Sequence, residues 1–448
     1  MAVEQLLGSA PDGWEYKSLG AACQGGGGSI QTGPFGSQLH ASDYVPVGIP
    51  SIMPQNIGDN RIVEDGIARI TPKDAQRLSR YLVQAGDIVY SRRGDVERRA
   101  LVRDHETGWL CGTGCLRVRL GKQGADPRYA SYYLGHPDVR EWIVRHAHGA
   151  TMPNLNTSIL AACPFLEPPL IEQRAIAHII GTLDDKIELN RRMSETLEAM
   201  ARALFKSWFV DFDPVRAKAE GRDPGLPQPL ADLFPDRLVD SELGEIPEGW
   251  EVGTLADVAA LNPEVWSKQT RPPEISYVDL SNTKWGRIEA VTSHEAAAAP
   301  SRAQRVLRPG DTIVGTVRPG NGSYAFVSED GLTGSTGFAA LRPTATWHAE
   351  FVYLAATAPD NIDALAHLAD GAAYPAVRPE VVAATPIVRP TSELSVHFCR
   401  AARPLVARTC QNEREFRTLA ALRDGLLPKL VSGELRIDDV EKVVGRVV

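Results

Sequence analysis

Between Leu170 and Asp213 the chain carries no proline, and its apolar positions recur in alternating steps of four and three: Ile176, Ile180, Leu183, Ile187, Asn190, Ser194, Leu197, Ala201, Leu204 and Trp208. That spacing predicts one long helix with a heptad stripe, and its 44 residues would span about 66 Å. The stripe returns 222 positions later as Phe398, Ala402, Leu405, Thr409, Asn412, Phe416, Leu419, Arg423, Leu426 and Leu430. Asparagine stands at the same step in both. Two such helices in one chain are expected to pack on each other, antiparallel, with Asn190 near Asn412. The seam is assigned to Ile176, Ile180, Leu183, Ile187, Asn190, Leu197 and Leu204, facing Leu405, Asn412, Phe416, Leu419 and Leu426. Pro404 and Pro428 interrupt the second helix, which should be kinked near Pro404 or start late.

Ahead of each helix the texture changes to short β-type runs broken by Gly and Pro, such as Asp87 to Tyr90 and Thr312 to Val317, with helical patches near 128–145 and 350–370. These stretches also repeat. Gly13-Trp14-Glu15 returns as Gly249-Trp250-Glu251, and Gly86-Asp87-Ile88-Val89 returns within Gly310 to Val314. Met152-Pro153 and Ala161 to Pro164 return as Tyr374-Pro375 and Ala383 to Pro386. Two diverged copies of one module explain this pattern. The expected fold is α+β: two tandem mixed α/β domains, separated by two long antiparallel helices and related by pseudo-twofold symmetry. Residues 1–168 form the first domain, 169–213 the central helix, 246–390 the second domain and 391–433 the distal helix. A tail covers 434–448. The prolines at 214, 224, 227, 229 and 235 predict an extended connector over 214–245.

With 43% apolar and 23% charged residues, and no apolar run of 18, the chain reads as a soluble cytosolic protein rather than a membrane one. Met1 to Ala10 contains an acidic residue and no basic apolar signal pattern. Six cysteines (23, 111, 115, 163, 399 and 410) include no CxxC, and the lone spacing of Cys111 and Cys115 predicts reduced structural thiols rather than zinc.

Catalytic signatures are missing. There is no GxxxxGK[ST] loop, no GxGxxG between a strand and a helix, and no [ND]PP[YF] segment of an amino-methyltransferase. Pro11 to Lys17 imitates a PD…ExK nuclease signature, but its carboxylates lie too close to come from separate strands, and a turn is expected there. His146 and His148 read as surface residues. No cofactor or metal is therefore assigned to this chain. The net charge of −8 argues against a broad nucleic-acid coat, yet a local basic patch exists. Residues 77–119 carry nine arginines against five carboxylates. Arginine both clamps phosphate and reads guanine through two parallel hydrogen bonds. The candidate DNA-contacting residues are Ser37, Ser91, Arg92, Arg93, Arg98 and Arg99 in the first copy. In the second they are Thr316, Arg318, Asn321, Ser323 and Tyr324.

Leu204-Phe205-Lys206-Ser207-Trp208-Phe209-Val210-Asp211-Phe212-Asp213-Pro214-Val215 resembles the end of the central conserved region of Type I restriction-modification specificity subunits. Gly244 to Trp250 is similar to the opening of their second recognition domain, Leu426 to Ile437 to their distal conserved region, and Gly33-Pro34-Phe35-Gly36-Ser37 to a recognition-domain loop. The resemblance covers the whole chain. It implies two target recognition domains, each reading half of a split double-stranded DNA target. It also implies two docked methylation subunits that bind S-adenosylmethionine and methylate adenine, which restriction subunits hydrolysing ATP can join. The helices would then set the spacing of the half-sites. A helical assembly scaffold without DNA recognition of its own is the alternative.

Overall fold

The structure, a computed structural model, describes residues 4–149, 152–267, 269–371 and 374–437; the side chain of Ser37 lies outside the described part. The chain divides into two units, Met1–Asp185 with Leu419–Val448, and Lys186–Thr418. The division falls inside both long helices.

The first unit opens with β1 (Glu15–Ser18), α1 (Leu19–Gly25), β2 (Ser29–Thr32), β3 (Tyr44–Ile52), β4 (Ala68–Ile70) and α2 (Pro72–Arg77). Strands β5 (Ile88–Ser91), β6 (Arg99–Leu101), β7 (Leu110–Cys111) and β8 (Cys115–Arg119) follow. Then come α3 (Pro127–Tyr133), α4 (Pro137–His146), α5 (Thr157–Ala162), β9 (Pro164–Glu167) and the start of α6 (Leu170–Phe209). Strands order as β2-β8-β5-β6 and β4-β3-β7, and β1 pairs with β9. All four residues of β5 are buried, so this strand lacks polar alternation. Caps define the short helices. Asp126 accepts from Arg128 and Tyr129 ahead of Pro127, and Asn156 accepts from Ile159.

The second unit continues α6 and adds α7 (Asp213–Ala219), α8 (Gln228–Ala231), β10 (Leu238–Ser241), β11 (Gly244–Pro247), β12 (Glu251–Thr254) and β13 (Ala259–Leu261). Next are β14 (Glu274–Val278), β15 (Thr283–Lys284), β16 (Arg287–Ile288), β17 (Thr292–Glu295) and β18 (Ala303–Val306). Then follow β19 (Thr312–Gly315), β20 (Tyr324–Phe326), β21 (Leu332–Ser335), β22 (Phe338–Pro343), α9 (Ala349–Ala356), α10 (Pro359–His367), α11 (Pro379–Ala383), β23 (Pro386–Arg389) and α12 (Ser392–Ser432). The order β13-β22-β19-β20 repeats β2-β8-β5-β6, and β12 pairs with β23 as β1 does with β9. Each copy begins on the same turn: Trp14 N donates to Pro11 O at 3.0 Å and Trp250 N to Pro247 O at 3.1 Å, with Gly13 and Gly249 at φ near +80°. The nuclease-like Pro11 to Lys17 segment is this turn.

The long helices run antiparallel within each unit. In the first, Glu172 pairs with Arg436 at 3.7 Å and Asp184 with Arg423 at 3.0 Å. In the second, Lys186 pairs with Glu415 at 3.3 Å, and Phe209 meets Phe398 with ring centroids 4.8 Å apart. The first core joins Tyr129, Tyr133 and Phe165 to Ile176 and Ile180 of α6 and to Leu430 and Val431 of α12. The second joins Phe205, Trp208, Phe209, Phe351 and Phe398. Each buried aromatic or Leu here contributes about 1.5–3 kcal/mol relative to exposure.

Three expectations need revision. The segment 214–245 is not an extended connector: it forms α7, α8 and β10, and buries Pro214, Val215, Ala217, Ala231 and Phe234. Apolar residues between its prolines give it a core to fold on. Helix α12 does not start late; it runs unbroken from Ser392 through Pro404 and Pro428. Pro404 and Arg400, the residue whose carbonyl loses its helical partner, are both exposed, so the missing hydrogen bond is not sealed in a core. On the seam, Ile176, Ile180, Leu183, Asn190, Asn412 and Leu419 are buried, while Ile187, Leu197, Leu204, Leu405 and Leu426 are half-buried. Phe416 is exposed and leaves the seam. The buried face of α12 advances in steps of four through Phe398, Ala402, Val406 and Cys410, because it also covers the core of the second unit.

All six cysteines are buried and free. Among the described residues no group of His, Cys, Asp or Glu could hold a metal ion, and no helix is long and apolar enough to cross a membrane.

Candidate nucleic-acid interface

In each unit the turn after the most buried strand is held by the same hydrogen bonds. Arg92 N donates to Gly114 O at 2.8 Å, as Thr316 N does to Gly337 O at 2.8 Å. Leu155 N donates to Arg92 O at 2.8 Å, and Val377 N to Thr316 O at 2.9 Å. One step further, Gly94 N donates to Pro153 O at 3.2 Å, and Arg318 N to Pro375 O at 2.7 Å. A third segment docks on the returning strand: Asn60 N donates to Arg99 O at 3.1 Å, and Gly286 N to Tyr324 O at 2.9 Å. Three loop tips therefore come together in each unit.

At the opposite end of the same strand, a buried aspartate paired with an arginine fixes where the strand begins. Asp87 accepts from Arg119 Nε at 2.7 Å, and Asp311 accepts from Arg342 Nε and Nη2, both at 2.9 Å. Both aspartates are almost fully buried. Hydrogen bonding to the aspartate raises the pKa of Arg119 and of Arg342, so these cations are bound into the scaffold.

This scaffold sorts the candidate residues. Arg93 and Arg98 are exposed in the first turn, with Arg98 3.4 Å from Asp95; Arg92 is half-buried beneath them. Ser91 is buried, and its hydroxyl donates to Arg93 O at 2.9 Å, which shapes the turn from within. Arg99 is withdrawn from the surface set. It begins β6, is buried, and donates to Ser131 O at 2.6 Å, and burial lowers its pKa. Ser37 lies in a turn at Gly36–Gln38, with its side chain outside the described residues. In the second turn Arg318 and Asn321 are exposed. Thr316, Ser323 and Tyr324 are buried: Thr316 Oγ1 donates to Gly337 O at 2.8 Å, Ser323 Oγ to Leu280 O at 3.1 Å, and Tyr324 accepts from Arg202 at 3.3 Å. They support the loop rather than project from it, because the chain has already turned back into β20.

Other exposed residues went unassigned in the sequence. Trp285 and Tyr374 stand at the tips of the second unit's supporting loops, and Asp59 and Met152 at the matching places in the first. Phe35, beside Ser37, is also exposed. The recurrence of Met152-Pro153 as Tyr374-Pro375 was the signal for two of them.

Comparison with known proteins fits this geometry. Residues 11–199 match the family model described as the Type I restriction modification DNA specificity domain. The chain is 25% identical to the Type I restriction enzyme HindI specificity subunit of Haemophilus influenzae, over 86% of this chain and 95% of that one. It is 22% identical to the MjaIX specificity subunit of Methanocaldococcus jannaschii, over 98% and 97%. The fold is similar to that of the S subunit of a Type-I restriction-modification system from M. genitalium, with a TM-score of 0.60, 16% identity, and 94% and 96% of the two chains covered. Over most of its length the chain is thus similar to Type I restriction-modification specificity subunits, and its first part matches their DNA specificity domain.

Proposed function

We propose that this chain reads a bipartite double-stranded DNA target, each unit contacting one half-site, and that it supplies no catalytic group itself. The observation that carries this reading is the duplicated three-loop platform. The same backbone hydrogen bonds hold it in both units, while the exposed residues at its tips differ. A constant frame with different tips suits two half-sites of different sequence. In the same reading α6 and α12 dock two methylation subunits, which bind S-adenosylmethionine and modify adenine; ATP-hydrolysing restriction subunits complete the assembly where present. The chain works in the cytoplasm, where the DNA is.

The test is to co-express the chain with its methylation subunits and map methylated adenines. A split motif is the expected result. Duplex binding that weakens steeply with salt separates this reading from the assembly scaffold, which would give no DNA affinity of its own. Calorimetry on the isolated chain should give no heat with S-adenosylmethionine; measurable binding would overturn the non-catalytic assignment.

A further inference from the structure

Five non-glycine residues among those described have a positive φ: Asn60, Phe212, Asn262, Trp285 and Arg318. Two of these, Trp285 at +46° and Arg318 at +48°, belong to the three-loop platform of the second unit. Left-handed backbone is costly for residues with a Cβ, and where it persists the surrounding structure enforces it. The platform itself shows that this conformation does not require a side chain at Arg318. Gly94 occupies the equivalent position in the first unit, at φ +74°, with the same hydrogen bond to the facing proline carbonyl. The second unit therefore carries an arginine where the backbone favours glycine.

The environment of that arginine is specific. Its guanidinium lies over the ring of Tyr374, 4.9 Å from the centroid, and Tyr374 is 73% exposed. Stacking of this kind engages the face of the guanidinium, whose N–H donors lie in its plane. Those donors match the O6 and N7 acceptors of guanine in the major groove. On the other side of the turn Trp285 N donates to Gly322 O at 2.6 Å, and the indole lies so close to Gly322 that a Cβ there would approach it to 2.5 Å. Trp285 is itself 53% exposed. The turn from Arg318 to Gly322 thus carries an exposed tryptophan at one end and, at the other, an arginine stacked on an exposed tyrosine. The first unit has Asp59, Gly94 and Met152 at these three positions.

We propose that Trp285, Arg318 and Tyr374 are the base-contacting set of the second unit, with Arg318 reading a guanine and Tyr374 holding its guanidinium in plane. The inference rests on the DNA-reading function proposed above. Its test is selection from a randomised duplex library by the complex of this chain with its methylation subunits, followed by sequencing of the bound duplexes. The parent should select a bipartite motif. Arg318→Ala should lose the preference for guanine at one position, by roughly 5- to 150-fold, and leave every other position and the opposite half-site unchanged. Arg318→Gly, which suits the backbone, should give the same relaxed motif with a melting temperature no lower than the parent's, so misfolding does not account for the loss. Tyr374→Leu should weaken the preference at that same position, and Trp285→Ala should alter the same half-site only. A guanine preference that survives Arg318→Gly overturns the proposal, as does equal weakening of all sequences, which marks a phosphate contact. A parent that selects no bipartite motif overturns the DNA-reading function itself, and this proposal with it.

Discussion

The side-chain amide of Asn412 donates to Ser194 Oγ at 3.3 Å across the antiparallel pair of α6 and α12. Asn190, one turn before Ser194, is equally buried, and neither its Nδ2 nor its Oδ1 has a hydrogen-bond partner among the described residues. A polar residue at an interior heptad position fixes register at a cost in stability. Asn190→Leu is expected to raise the unfolding free energy by about 1–2 kcal/mol, measured by urea denaturation. A loss of stability would show that the amide is satisfied in solution.

Asp87 and Asp311 perform the same task in the two units, and each should be indispensable to its own. Removing Asp87 takes the carboxylate partner from Arg119, and removing Asp311 takes one of two from Arg342, which also pairs with Glu264. Asp311→Ala is expected to cost about 3 kcal/mol, and Asp87→Ala a similar amount. Hydrogen exchange should localise the first loss to the second unit and the second to the first. Uniform loss of protection across both would contradict their independence.

Glu413 on α12 accepts from Ile288 N at 2.5 Å, and burial pushes its carboxyl up to about 7, against the opposing pull of Arg417 and Arg287. Between roughly pH 4.5 and 7 the folded chain keeps a proton that the unfolded chain has released. This group therefore lowers stability as pH rises through that window and has a constant effect above it. Glu413→Gln keeps the acceptor and removes the titration. The variant should match the parent near pH 4 and exceed it by about 2 kcal/mol above pH 7, read from denaturant midpoints across pH. Parallel curves for the two proteins would refute this.

Burial raises the pKa of every cysteine thiol, to about 12 for Cys23, Cys111 and Cys399 and to about 11 for Cys410. Thiolate is the reactive form, so native protein at pH 8 should react negligibly with a thiol-specific chromogenic disulfide. All six thiols should appear after denaturation. Fast labelling of any cysteine in the native state would mean that its core opens locally.

The duplicated architecture was legible because its markers are constrained by backbone geometry. Gly13 and Gly249 sit in matching left-handed turns, and Asp87 and Asp311 each bind an arginine from the neighbouring strand. The heptad stripes found both helices, but spacing alone did not separate a seam residue such as Asn412 from Phe416, since a helix that also covers a domain core buries a broader, drifting face. The candidate interface was legible only in part. Charge density pointed to residues 77–119, yet Arg117 and Arg119 are tied to the scaffold and Arg99 is interior. The polar run from Thr316 to Tyr324 resembled a solvent loop, although its two ends are buried. Exposure there depends on where the chain turns back into a strand, which composition does not encode. Trp285 and Tyr374 were missed for the opposite reason, since large aromatics are ordinarily assigned to a core.

The placement of Leu430 and Val431 in the first core has a consequence for how the protein is made. The second unit is one continuous stretch, whereas the first closes only when residues from 419 onward join it. On the ribosome, the half synthesised first is thus the half completed last. A chain interrupted anywhere before Leu419 would present Ile176, Ile180 and their neighbours as uncovered apolar surface. Truncated products are thereby exposed to aggregation and proteolysis before a half-finished chain could accumulate.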